Sequence, residues 1–396
     1  MTGTIADPLA AASEALAGSG PASLAGLRRE ALEAFLAAPL PNRARHLWRY
    51  TDPRRLLPGD RVPAPPPPAF AGKVPEGFEV RDLSAAAAGP AAGLLGSLSG
   101  PAAGKFETLN LALFPAGTFV RVPAGRRPGD ALVLIHRAGA AGTISFPRTL
   151  VLVEEGAEAA VVEEFEGPEG AAGMLHSVAE VFLGPGARLV HTVVNTLGVG
   201  ATASLVQRAR LHRAASLTSV TVGLGGGLAK SEVSAVLAGP GARSEVLGAV
   251  FGAGRQQADL HILQEHAAPR TQSDLLVRVA LMERARASYT GRLVIAVGAP
   301  HSEARQENRN LLLSEDARAD SIPELEILTH EVQCSHAAST GPVDPAMLFY
   351  LRSRGFSARD AEKAIVMGFL EPVFARVPGE GLADALRGAA SRRLDG

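Results

Sequence analysis

The spacing of apolar positions changes twice along the chain. In residues 1–57, Leu24, Leu27, Leu32, Phe35 and Leu36 recur at helical spacing, which predicts helix. Residues 80–100 are rich in Ala and Leu and predict one more helix. From about residue 105 short β-prone runs take over, at 118–122, 131–135, 149–153 and 159–162, with Gly- and Pro-rich turns between them. No stretch of helical length separates these runs, so a βαβ arrangement is excluded. After Gly341 the helical pattern returns. Asp344 is placed as an N-cap with Pro345 at the first helical position, and Gly355 ends the segment. Ser357 and Asp360 resemble a capping box. Met347, Leu348 and Leu351 form one apolar stripe, and Ala361, Ala364, Ile365, Gly368 and Phe369 the next. Pro372 is expected to break or bend that helix, and residues 382–394 to form a last short one.

A weak repeat runs through the β-prone region. Turn-like phrases end on Ala157, Ala187, Ala215, Ala242, Ala285 and Ala317, in steps of 30, 28, 27, 43 and 32 residues. Units of this size, holding short strands and no helix, predict the stacked rungs of a β-solenoid, with a β-sandwich as the rival. Residues 58–69, with Pro63 and Pro65 to Pro68, read as an extended linker. The domains expected are 1–100 (helical, with the linker), 101–341 (β) and 342–396 (helical).

Composition narrows the function classes. Apolar residues make up 46% of the 396, enough for a large core, but aromatics only 5%. The net charge of −1, with no basic block, leaves out a nucleic-acid-binding footprint. A single Cys argues against a disulfide framework and fits a reducing compartment. The first residues lack the basic start of a secretory signal, and no apolar run approaches the ~20 residues that span a bilayer. A cytoplasmic, soluble protein is expected.

The lone Cys lies in the stretch 323–341. There His330, Val332, Cys334 and His336 share one strand parity, so Cys334 and His336 would project from one face. A thiolate beside an imidazole suits a soft metal or an iron–sulfur cluster. On the residues alone, a packed, buried thiol is the commoner outcome. Other candidates are weaker. The Gly-rich 223–231 segment fails as a phosphate loop because Ala229 precedes Lys230, and it reads as a turn. His261 and His266 miss the spacing of a helical zinc pair and read as hydrogen-bonded turn residues. Trp48 reads as a packing anchor between domains. Glu303 and Glu307, with Glu324 and Glu326, raise the possibility of a carbohydrate-active enzyme, but nothing marks a cleft.

The last third of the β region and the helical segment after it carry a recognisable pattern. Asn310 to Ser314, Ala317, Pro323 to Ile327, Val332 to His336 and Leu348 to Gly355 succeed one another closely, the phrase from Phe349 to Gly355 being the most specific. Trp48 to Asp52, Phe106 to Ala112 and the Asp259 to His266 segment support it upstream. Together they resemble the SufB/SufD family of iron–sulfur cluster assembly proteins over most of residues 48–370, and the short length and single Cys resemble its SufD-like branch. The resemblance implies a right-handed parallel β-helix between helical ends. It implies a scaffold subunit, not an enzyme, working with a SufB-like paralogue and a SufC-like ABC ATPase, with a homodimer as the alternative when the paralogue is absent. It puts Cys334 and His336 at a site for a transient cluster or iron shared across the subunit junction. It also assigns Phe349, Tyr350, Arg352 and Arg354 to partner docking. With the resemblance included, a functional role for Cys334 and His336 is favoured over packing. A purely structural paralogue, with all chemistry on the partner, is the other reading. Flavin binding is left open by these residues.

Overall fold

The structure is a computed structural model that describes residues 9, 11–16, 18, 21–44, 46–64, 73–100, 103–167 and 172–395. Its centre is a parallel β-solenoid. The chain alternates between two sheets, so each strand pairs with the strand of the same face one coil earlier and one coil later. On the larger sheet successive strands begin at residues 174, 202, 228, 257, 286 and 318, and on the smaller sheet at 188, 216, 243, 272, 303 and 333. Parallel neighbours need a crossover of a dozen or more residues. Here the strand on the opposite sheet supplies it, which is why no helices are required. Among the described residues the smaller sheet holds eight strands, one for each coil.

The alanines of the repeat occupy the turns that precede strands. Ala157, Ala187, Ala215 and Ala242 precede strands of the smaller sheet, whereas Ala285 and Ala317 precede strands of the larger one. The step of 43 is therefore a change of sheet. Within the smaller sheet the next equivalent turn residue is Thr271, buried and sharing a hydrogen bond with the Ser302 hydroxyl.

Inward positions stack into columns. Val153, Leu183, Leu211 and Leu237 are ladder neighbours, all fully buried, and the column runs on through His266 to Ile295 and Ile327. Burial pushes the His266 imidazole down to about 4. Its ring nitrogens meet the Thr271 and Ser273 hydroxyls at 2.7 and 2.8 Å, so the neutral ring costs no unpaired group.

Both helical regions pack on outer faces. The helices Ala22–Ala37 and Lys105–Leu113 cover the start of the larger sheet, with Leu24, Phe35, Leu109 and Leu113 in one core with Phe119, Leu150 and Phe182. A fully buried ion pair fixes them: Arg148 Nη2 lies 2.6 Å from Glu180 Oε2. Glu180 also accepts the backbone N–H groups of Gly96, Leu98 and Ser99, and Arg148 donates to Asn110 and Ser99. At the other end of the chain the helix Ala358–Phe374 lays Val366, Leu370, Val373 and Phe374 on the smaller sheet against Val222, Leu247, Phe251 and Leu276. Trp48 packs with Leu56, Phe106 and Leu228, anchoring the N-terminal segment to the solenoid as expected.

Several expectations are corrected. Residues 80–100 are not one helix: the strand Glu79–Asp82 is followed by a single helical turn, Leu83–Ala86, and then turns. Residues 105–113, which fall at the start of the region assigned to the β domain, form a helix whose Phe106, Leu109 and Leu113 are buried. The buried face of Ala358–Phe374 is Ala361, Val366, Leu370, Val373 and Phe374, not the stripe through Ala364, Ile365 and Gly368. Pro372 does not break that helix, which continues to Phe374. Pro65 to Pro68 lie outside the described residues.

The Arg148–Glu180 pair yields a stability prediction. Glu180→Ala leaves a buried guanidinium uncompensated and three backbone N–H groups without their acceptor, so it should cost about 3–5 kcal/mol. Denaturant unfolding of the full chain measures this, and wild-type stability would contradict it.

The open end of the solenoid as a candidate functional site

Among the described residues the terminal strand Gln333–Pro342 lies at the end of the smaller sheet and pairs only with Glu303–Leu312. Among the same residues the penultimate strand Arg318–Ile327 lies at the end of the larger sheet and pairs only with Arg286–Ile295. Each is 10 residues long and presents one side without a strand partner. The opposite end of the larger sheet is finished by Glu79–Asp82, which is antiparallel, 4 residues long and carries three charged side chains. Short, charged edges resist further pairing. The terminal strand has the reverse character, with no Asp, Glu, Lys or Arg in it. It is built as an edge that can accept another strand.

Register places the two candidate ligands. Cys334 is the ladder partner of Ala304, and His336 of Gln306. Ala304, Gln306, Asn308 and Asn310 are buried and alternate with exposed Arg305 and Arg309, so their parity faces the lumen. Cys334 and His336 thus share the lumen side, as the alternation predicts. With no further coil above them, they line the open mouth. Cys334 is half-buried and touches the core formed by Leu275, Leu293 and Ala304, while His336 is exposed. Burial pushes the Cys334 thiol up, partly offset by a hydrogen bond from the Ala304 backbone. The thiol is therefore protonated at neutral pH and becomes a ligand only when a metal displaces the proton.

The strand does not extend back as far as expected. Residues 328–332 form a bend between the last two strands, with Glu331 in the left-handed region at φ 58°, so His330 and Val332 are not strand positions. Among the described residues no group of three or more His, Cys, Asp and Glu side chains converges on a possible metal position. The pair Cys334 and His336 supplies at most two ligands.

The lumen changes chemistry at this end. One coil down, the inward positions of the strand Gln272–Leu281 include Leu275, Val277 and Val279; the next strand replaces them with Gln306, Asn308 and Asn310. The Asn308 and Asn310 amides pair with each other at 3.1 and 3.2 Å, Asn310 donates to Thr340 at 2.9 Å, and the Tyr289 hydroxyl donates to Gln306 at 3.1 Å. These residues were not singled out from the sequence. Their signal was three amides at alternate positions of one strand, where apolar side chains are expected.

The helix Pro345–Ser353 comes next, capped by Asp344. None of its side chains is buried. Phe349 is 74% exposed and Tyr350 56%; Arg352 and Arg354 are exposed as well, with the Arg354 guanidinium 5.2 Å from the Tyr350 ring centre. The structure thus gathers all four docking candidates beside the mouth's final strand.

The remaining candidates disperse. Glu303 and Glu307 lie on the outer face of the smaller sheet and Glu324 and Glu326 on that of the larger one, so the two sets cannot flank one substrate. Glu307 pairs with Arg278 and Arg309, and Glu326 with Arg292. His261 and His266 sit in a strand, Gln257–His266, rather than a turn, and have opposite parity. His261 Nε2 lies 3.0 Å from Asp259 on the outer side, while His266 is inside. Lys230 is also in a strand, Leu228–Leu237, fully buried 4.8 Å from the Trp48 ring centre, with its ammonium on the Leu47 carbonyl.

The raised thiol predicts a reactivity profile. Alkylation of Cys334 should be slow at neutral pH and rise through an ionisation above the ~8.5 of a free thiol. A midpoint below that value, measured by mass spectrometry across a pH series, would contradict the burial argument.

Comparison with known proteins bears on the same region. The family described as "SUF system FeS cluster assembly, SufBD core domain" matches residues 136–369, more than half of the chain. An iron–sulfur cluster assembly SufBD family protein of Staphylococcus epidermidis is 29% identical over 277 residues. Its counterparts in Staphylococcus haemolyticus and Staphylococcus aureus are also 29% identical over 277 residues. Each alignment takes in 70% of this chain and 60% of the relative's length. The matched span runs from the first coils through the open mouth to the exposed helix, and on that footing the chain belongs to the SufBD family of iron–sulfur cluster assembly proteins.

Proposed function

We propose that this chain is a SufD-like, non-catalytic subunit of a cytoplasmic scaffold, pairing with a SufB-like paralogue and a SufC-like ABC ATPase. The nascent cluster, or the iron for it, is the cargo. It is held at the junction of two solenoids by Cys334 and His336 together with ligands from the paralogue.

One observation carries the reading. The only cysteine and its neighbouring imidazole sit at the mouth of a solenoid whose last two strands lack a partner on one side. Unpaired edges are satisfied when another chain adds its strands. The same joining brings a second set of ligands to the mouth, which a site with one thiol requires. Soft thiolate and imidazole ligands fit iron and iron–sulfur cargo. ATP hydrolysis belongs to the partner, because Lys230 and the glycines before it form a buried strand and a turn rather than a phosphate cradle. The exposed helix Pro345–Ser353 offers the ATPase an aromatic and cationic face.

Two variants separate these roles in a complex co-purified with its neighbouring subunits. His336→Ala should lower iron and acid-labile sulfide while leaving this chain folded and assembled. Phe349→Ala should reduce retention of the ATPase in a pull-down without loss of the paralogue, since a buried aromatic anchor is commonly worth about 2 kcal/mol or more, roughly 30-fold in affinity. Wild-type cluster yield in the first variant, or wild-type ATPase retention in the second, would count against the corresponding role.

A further inference from the structure

The lumen of the earlier coils holds a buried titratable group far in sequence from the mouth. His191 is fully buried, and each of its ring nitrogens meets an oxygen: Nε2 lies 2.9 Å from Glu163 Oε1, and Nδ1 lies 2.7 Å from Gln207 Oε1. The Gln207 amide is held in that orientation from its far side, where Nε2 donates to the Ser219 hydroxyl at 2.7 Å. Glu163 also accepts the Thr149 hydroxyl at 2.8 Å and faces His136 Nε2 at 2.8 Å. None of these six side chains belongs to a residue more than 4% exposed. Four of them come from Leu132–Arg137, Glu158–Glu166, Arg188–Asn195 and Ser216–Gly223, successive neighbours on the smaller sheet. The other two come from Arg148–Val153 and Thr202–Leu211 on the larger one.

A neutral imidazole has one N–H and one lone pair, whereas the charged ring has two N–H groups. A carboxylate oxygen and an amide oxygen only accept. Two acceptors therefore ask for two protons on His191. Burial works against a charged ring. The Glu163 carboxylate on one nitrogen and the Gln207 oxygen on the other more than offset it, and the pKa of the ring is raised. The charge is matched inside the lumen. Among the described residues Glu163 is the charged group in contact with His191, and the second imidazole on that carboxyl is His136.

We infer that His191 is an imidazolium in the folded chain, and that with Glu163 and Gln207 it forms a pH-sensitive clasp across four successive strands of the smaller sheet. Losing the ring proton turns a lone pair toward either the carboxylate or the amide oxygen, so one of the two contacts is lost. A ring that holds its proton more tightly folded than unfolded contributes fully below ~6.5, the value of a free imidazole. That contribution disappears as pH rises through the folded midpoint. Burial alone would raise the Glu163 carboxyl, but the two imidazoles overcome this and hold it well below the usual range. Its contribution is present above the free value of ~4.3 and is lost in acid. The clasp is thus strongest in mildly acidic solution, between those two values.

Two measurements on the full chain test it. Nitrogen-15 histidine NMR across a pH series reports how many protons the His191 ring carries. It should show two at about pH 6 and lose one with a midpoint above ~6.5. Denaturant unfolding of the wild type and of His191→Gln, compared from about pH 5.5 to about pH 9, reports the clasp itself. The wild-type folding constant should fall relative to the variant's by about tenfold for each unit by which the NMR midpoint exceeds ~6.5. Gln207→Leu removes the Nδ1 acceptor and should lower the midpoint; it takes the place of His191→Gln if that variant does not fold. The wild-type titration needs no variant. A single proton on His191 at about pH 6 overturns the inference, because the Gln207 amide would then be turned over and present its N–H to a neutral ring. A relative stability that stays constant across the same pH range overturns the clasp.

Discussion

A parallel strand satisfies its backbone only through neighbours on both sides, and a solenoid meets that demand by repeating itself. The rest of this protein depends on how the repetition begins and ends. At the start the larger sheet is closed by a short, charged antiparallel strand and covered by helices that the buried Arg148–Glu180 pair ties down. At the finish two strands of 10 residues end the stack; the penultimate one carries Arg318, Asp320, Glu324 and Glu326, whereas the terminal one has no Asp, Glu, Lys or Arg. An uncharged edge of that length is a liability in a free monomer. Its retention makes sense where another chain completes it.

The chemistry of the lumen varies along the same axis. In the earlier coils many inward positions are aliphatic, and some buried polar groups there are tightly paired. Glu163, for example, lies between His136 and His191 at 2.8 and 2.9 Å, and the two imidazoles hold its carboxyl well below the usual range despite burial. Near the mouth the amides of Gln306, Asn308 and Asn310 replace aliphatic side chains. A buried amide costs free energy unless its hydrogen bonds are met. The partners found are Tyr289, the Glu324 carbonyl, Thr340 and one another, which leaves a polar floor under His336, Ala338 and Thr340, while Cys334 stands over Ala304 and the apolar core.

Much of the architecture was legible in the sequence because local rules and fold agree. The spacing of Ala157, Ala187, Ala215 and Ala242 is one coil, and the parity of Cys334 and His336 survives in the terminal strand. Asp344 and Ser357 cap helices as their chemistry dictates. What misled were stretches decided by tertiary packing. Residues 105–113 fall inside the bounds expected for the β domain, yet form a helix whose Leu109 and Leu113 share a core with Phe119, Leu150 and Phe182. Ala358–Phe374 turns Val366 and Leu370 inward because the smaller sheet offers Leu247, Phe251 and Leu276 there. The amide floor was missed for a different reason: its meaning depends on which coil is last, and no local pattern marks the end of a stack.

The central claim is that the open edges of the last coil are completed by another solenoid. Backbone hydrogen exchange of residues 318–327 and 333–342, compared between the free chain and its complex with the paralogue, tests it most directly. The amides on the unpaired sides of both strands should exchange rapidly when free and become protected on assembly. Exchange that is already slow in the free chain, or that does not change in the complex, would contradict it.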